Sequence, residues 1–144
     1  MFDLTEIGYG STIVHMKMVA DTNTFIAVAL NEPEKGMIIR LAEGYDLAAP
    51  EILPFEVGNA LTAMMKRNVL DADEVISAWD MVRQIPVDLR RIDIRAALEI
   101  ATQYNIYAYD AYFLECALNL RGPLLTLDRR MKGIAREMGI QIME

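Results

Sequence analysis

With one cysteine and one histidine among its 144 residues, this chain is nearly bare of the side chains that usually carry nucleophilic, redox and acid–base chemistry. A lone Cys116 excludes a disulfide framework and a thiolate zinc site within the chain. It lies in the helical-looking stretch from Tyr112 to Leu118, where the reading is a buried structural thiol. The lone His15 precedes the pattern of strands and helices, which removes histidine-based general acid–base cleavage from consideration. Long hydrophobic runs are missing too. Phe25 to Leu30 is too short to span a bilayer, and Asp3 and Glu6 spoil a basic signal-peptide start, so no membrane association and a cytoplasmic location are expected. Positive charge is scarce: 14 Lys and Arg against 21 Asp and Glu leave a net charge of −7. That balance excludes nucleic-acid binding through bulk basicity and leaves room only for local basic patches or a bridging metal.

What is abundant is apolar material, 53% of residues against 24% charged, enough for one domain with a proper core. From Met16 short apolar runs alternate with longer stretches of helical spacing, the pattern of an α/β fold with a parallel sheet covered by helices. Strands are expected at Lys17 to Ala20, Tyr45 to Ala48, Pro86 to Leu89 with Ile92 just beyond, Leu124 to Leu127, and Ile140 to Met143. Helices are expected between them, with Gly44 and Gly139 as C-terminal caps and Arg121-Gly122-Pro123 as a stop. Asp71-Ala72-Asp73-Glu74 loads the first turn of one helix with the charge its dipole favours. Residues 1–15 match nothing in this pattern and are read as an N-terminal extension or expression scar, with Met16 and Met18 as possible alternative starts. Residues 16–144 are read as a single domain.

Four acids stand out. Asp21 ends the first apolar run, Glu56 sits inside a largely apolar helical stretch, Asp110 opens a helix, and Asp128 ends Leu124-Leu125-Thr126-Leu127. Each aspartate taken alone has an ordinary reading as a helix N-cap. Together they suggest more, because ligands in open parallel sheets bind beyond the carboxyl ends of the strands where strand order reverses. Glu56 and Asn59 are three apart and share a helix face, so they can present oxygens jointly. Oxygen-only donors suit hard divalent ions such as Mg²⁺ or Mn²⁺, and without an ion such a cluster repels itself and raises its own pKa values.

Val19-Ala20-Asp21-Thr22-Asn23, Pro54-Phe55-Glu56-Val57-Gly58-Asn59-Ala60-Leu61, Ala108-Tyr109-Asp110-Ala111-Tyr112-Phe113-Leu114 and Leu124-Leu125-Thr126-Leu127-Asp128 resemble, in order and spacing, the motifs of PIN-domain proteins. Within that family the set most resembles the VapC toxins of toxin–antitoxin pairs, over Met16 to the C-terminus. The resemblance implies a three-layer α/β/α domain and a Mg²⁺- or Mn²⁺-dependent endoribonuclease that cuts structured RNA and is neutralised by a VapB-like antitoxin. It implies that Asp21, Glu56, Asp110 and Asp128 are the catalytic, metal-holding acids, with Asn23, Asn59 and Thr126 as hydrogen-bonding supports. A homodimer is a further expectation.

Local charge softens the acidic balance. Arg121, Arg129, Arg130, Lys132 and Arg136 cluster around Asp128, and Arg129, Arg130 and Lys132 are candidate RNA contacts, although a solvated helix face explains each alone. Lys66-Arg67 reads first as a charge pair complementing a helix C-terminus. Two alternative functions remain open at this level: a Mg²⁺-dependent phosphatase, against which Asn23 stands where a second aspartate would be needed, and a non-catalytic PIN-like adaptor.

Overall fold

In the computed structural model residues 15–144 are described. The expected extension therefore lies, apart from His15, outside the described residues. Strand β1 (Met16–Ala20) is followed by α1 (Thr22–Ala29), α2 (Lys35–Ala42), β2 (Tyr45–Pro50), α3 (Leu53–Lys66) and α4 (Ala72–Val82). Then come β3 (Asp88–Arg90), α5 (Ile94–Tyr104), α6 (Ala108–Leu120), β4 (Leu124–Leu125) and α7 (Arg129–Glu137).

The sheet runs β3-β2-β1-β4 and every pairing is parallel. From β1 the chain steps outward to β2 and β3, then returns to place β4 on the other side of β1. Right-handed crossovers in opposite directions put their helices on opposite faces, so the helices between β1 and β3 cover one face and α5–α6 the other. The result is the expected three-layer α/β/α arrangement, in which α6 packs on β1 and β2 and α5 packs on α6. Its switch point is the crevice between β1 and β4.

Burial on both faces explains the near-continuous apolar strands: Met18, Val19, Ala48, Ala49, Leu124 and Leu125 are all buried. Gly122 sits where β4 enters against β1, and any Cβ there would collide with the Lys17 carbonyl. Gly44 and Gly139 take positive φ just past their helices, as expected, at 84° and 79°.

Three strand expectations need correction. The expected strand Ile140 to Met143 is a single bridge, Leu124 to Ile142, held by Leu124 N–H to Gln141 O and Met143 N–H to Leu124 O. The run expected to continue to Leu127 leaves the ladder after Leu125, where the Thr126 hydroxyl accepts the Asp128 N–H in a local turn and donates across to Asp21. Third, β3 starts at Asp88 rather than Pro86, whose missing N–H suits the approach to a strand better than the ladder.

Candidate active site

Asp21 and Asp128 follow β1 and β4, the two strands that flank the switch point. Asp21 caps α1, its Oδ1 accepting from the Thr24 N–H at 3.2 Å and the Thr24 hydroxyl at 2.7 Å. Its Oδ2 accepts the hydroxyl of Thr126, which is itself fully buried. That same Thr126 Oγ1 accepts the Asp128 N–H at 3.0 Å, so one hydroxyl ties the two strand ends together. Asp128 in turn caps α7 through Oδ1, from Arg130 N–H at 2.8 Å and Met131 N–H at 3.1 Å. Capping and convergence therefore hold at once: both acids are helix caps, and both stand in the crevice.

Burial raises the Asp21 pKa above the usual carboxylate range; the hydrogen bonds from Thr126 and Thr24 pull it back, and the Asp128 charge adds to the rise. Asp110 arrives from the far face. It is the third residue of α6, whose cap is Tyr107 with no side-chain bond, so the capping alternative for Asp110 is not realised. Its pKa is raised by burial, then by the charges of Asp128 and Asp21, and is eased by Arg130. Glu56, in the first turn of α3, is raised by burial and then by Asp110. All four acids thus belong to one electrostatic neighbourhood at the carboxyl edge of the sheet. Among the described residues, however, no three acidic, imidazole or thiol groups stand close enough to enclose a single ion between them.

The supporting residues divide. Thr126 is built into the acid pair, whereas Asn23 and Asn59 are exposed. Asn23 and Asp128 line a groove of about 520 Å³ that runs between α1, α3 and the start of α7, with Ala60, Met64 and Arg67 on its other wall. Arg67, read from sequence as a helix-end charge, is also a groove residue, which only the tertiary packing of α3 beside α1 reveals. Of the candidate RNA contacts, Arg129 is exposed and makes no ion pair among the described residues. Lys132 lies 3.6 Å from a Glu144 carboxylate oxygen. Arg130 reaches back to the end of α5, its Nη2 donating to Asn105 O at 3.1 Å, with Tyr104 O at 3.5 Å.

Two residues stand apart from this site. His15 pairs with Asp46 at 3.1 Å near the amino ends of the strands, the opposite edge from the acids. Burial, and then the charge of buried Glu115, push the Cys116 thiol up to about 12, so it is the inert core residue its sequence context suggests.

Residues 18–137 match the PIN domain family. The chain belongs to it. It is 26% identical over 121 residues to Ribonuclease VapC3 of Pyrobaculum aerophilum, covering 81% of this chain and 92% of that protein. Its fold is similar to the crystal structure of PAE2754 from the same organism, with a TM-score of 0.67 at 20% identity over 88% of this chain and 90% of the other. It is also similar to a chain of Rickettsia felis VapBC2 bound to a DNA fragment from its promoter, with a TM-score of 0.63 at 14% identity over 88% and 97% of the two chains. The α/β/α sheet expected from sequence is thus the fold of this PIN domain.

Proposed function

We propose that this PIN domain is a metal-dependent endoribonuclease that hydrolyses RNA phosphodiester bonds, and that it is the toxin of a toxin–antitoxin pair. The observation that carries the reading is the electrostatic coupling of Asp110 to Asp128 and Asp21, and of Glu56 to Asp110, around the two strand-end acids at the switch point of the sheet. The ribonuclease name of the Pyrobaculum relative supports the substrate, and the VapBC name of the Rickettsia neighbour supports the partner.

The donor set fits Mg²⁺ or Mn²⁺. Every charged donor is a carboxylate, and three of the four have pKa values raised in a way that a cation would reverse. That no three acids enclose one point agrees with the habit of Mg²⁺, which takes one or two carboxylates and completes its shell with water and substrate phosphate. When bound, the ion would acidify the attacking water and offset charge gathering at phosphorus. Asp21, Asp110, Asp128 and Glu56 would hold one or two such ions, each through one or two carboxylates and otherwise through water; Thr126 fixes Asp21 to the Asp128 turn, and Asn23 and Asn59 would offer amides to water or phosphate from the rim. Residues 16–144 form the nuclease domain in this reading, and residues 1–15 lie outside it.

The antitoxin, a VapB-like protein, would place a basic side chain among the acids, substituting for the cation with charge-assisted hydrogen bonds. Exposed Phe55, Val69, Ile76 and Met81 on and beside α3 and α4 supply apolar surface for that partner or for a homodimer. Incubating the purified protein with total RNA and Mg²⁺, Mn²⁺ or EDTA tests the core of the proposal. Cleavage is expected with either ion and none in EDTA; cleavage that survives EDTA, or no cleavage under any condition, overturns it. The complex purified with its partner is expected to be inactive until the partner is removed.

A further inference from the structure

Between α1, α2 and the sheet lies an apolar cavity of about 120 Å³, walled by Phe25 and Val28 of α1, Ile38 and Ala42 of α2, Leu47 of β2 and Leu125 of β4. Thr24 also borders it, but the Thr24 hydroxyl is committed to Asp21 Oδ1 at 2.7 Å and to the Leu125 carbonyl at 3.3 Å. No polar group is left to hold a water there. Protein interiors pack as densely as organic crystals, and an unfilled void costs stability. Apolar cavities of about 150 Å³ stay dry and take up benzene, so this one suits a single ring or a short alkyl group.

The cavity has a mouth. Ala42, Leu47 and Ile85 line it and also line a second, open pocket of about 510 Å³. That pocket occupies a notch in the sheet: β3 begins opposite Ala48, so Tyr45 to Leu47 of β2 have no strand beside them on that side. A notch gives access from both faces. By strand alternation Tyr45 and Leu47 belong to the cavity face, whereas Lys17, Asp46 and Asp88, which also line the pocket, belong to the other. Lys17 pairs with Asp88 at 3.4 Å, and the half-exposed Asp46 pairs only with His15 among the described residues. With two carboxylates against one ammonium group, the mouth favours a cation. The helix roofing the cavity, α2, has one buried residue, Ile38, and no side-chain cap, the profile of an element that opens locally at low cost.

We propose that the cavity and its mouth bind a small amphipathic amine, with an aromatic or short alkyl end in the cavity and the ammonium group at the mouth beside Asp46. The inference does not depend on the ribonuclease reading.

The test titrates phenethylamine into the full chain and follows the methyl groups by NMR. Saturable ring-current shifts are expected at Val28, Leu47, Ile85 and Leu125, together with a raised melting temperature. Phenylacetate, with the same ring and the opposite charge, should bind more weakly, and ethylamine should leave these methyls unmoved. Asp46→Asn, at a half-exposed position, should keep the fold, weaken the amine roughly three- to five-fold and remove most of its preference over phenylacetate. Ala42→Leu, which narrows the neck, should abolish the shifts; its melting curve checks that it is folded, and if it is not, the methyl map and Asp46→Asn decide. Absence of saturable shifts, or shifts confined to other methyls, overturns the site. Equal binding of phenylacetate, or a preference for the amine that survives Asp46→Asn, overturns the assignment of the mouth and with it the proposal.

Discussion

The four acids are held in two different ways. Asp21 and Asp128 are strand-end residues locked by hydrogen bonds: each caps a helix, and the Thr126 hydroxyl joins them. Asp110 and Glu56 are first-turn helix residues that no side-chain hydrogen bond among the described residues holds, and burial and neighbouring charge raise both. The first pair is structural as well as chemical, so its members support the fold that positions them. The second pair contributes little to the fold beyond a favourable place near a helix N-terminus. In the proposed reading the pairs share the function but not the contribution to stability, and that contrast can be broken experimentally.

The largest expected effect falls on both pairs alike. Asp21→Asn, Glu56→Gln, Asp110→Asn and Asp128→Asn should each lower the initial rate of RNA cleavage with Mg²⁺ by at least about 100-fold, since each removes charge directed at the ion. If Asp110→Asn or Glu56→Gln cleaves at near the parent rate, the helix-borne acids are bystanders and the site shrinks to the strand-end pair.

The next effect isolates the tie between the strand ends. Thr126→Val keeps the shape but leaves Asp21 Oδ2 and the Asp128 N–H without their shared partner. Removing such buried bonds costs about 1–3 kcal/mol of stability. Activity should fall by roughly 10- to 100-fold, as for other residues that orient a metal ligand. Thr126→Ser keeps the hydroxyl and should recover most of both. Equal damage from the serine and valine variants would show that the methyl packing matters, not the hydrogen bonds.

Much of this architecture was legible in the sequence because the information is local. Val19-Ala20 running into Asp21, and Leu124-Leu125-Thr126-Leu127 into Asp128, announce buried strand ends that carry acids, and the alternation of elements announces the parallel sheet. Other features were not local. Arg130, read as a candidate RNA contact or a solvated helix face, is exposed but also bonds to the end of α5, a contact across 25 residues that no spacing rule reports. Arg67 joined the groove only through the packing of α3. The tail from Ile140 to Met143 has the apolar pattern of a strand, but its pairing with β4 reaches one rung, because β4 itself has only two ladder residues. The acids' dual use as caps was visible only as two rival readings, and the structure realises both.

A smaller effect separates the pairs by stability alone. In EDTA, Asp128→Ala should lower the unfolding free energy by about 1 kcal/mol, the usual loss on removing an N-cap. Urea unfolding at neutral pH checks this. A variant as stable as the parent would mean that water or the adjacent Thr126 turn replaces the cap without loss.

Asp110→Asn should move stability slightly in the opposite direction, and its pH dependence carries the sign. The folded-state pKa of Asp110 lies above the ordinary value of 3.8, raised by burial and then by Asp128 and Asp21. Between those two values the folded protein holds a proton that the unfolded chain has released, so stability falls as pH rises through that window and stays lower above it. Asparagine has nothing to ionise and escapes that loss. In EDTA the variant should therefore melt above the parent at neutral pH, by at most on the order of 2 °C given the half-buried position and solvent screening. The advantage should shrink as pH drops toward 3.8. Adding Mg²⁺ should reverse the ranking, because the ion stabilises only the carboxylate that can hold it. A variant that melts below the parent at neutral pH without metal would mean that Asp110 is stabilised by the α6 N-terminus more than it is repelled by its neighbours, and the two pairs of acids would then be alike after all.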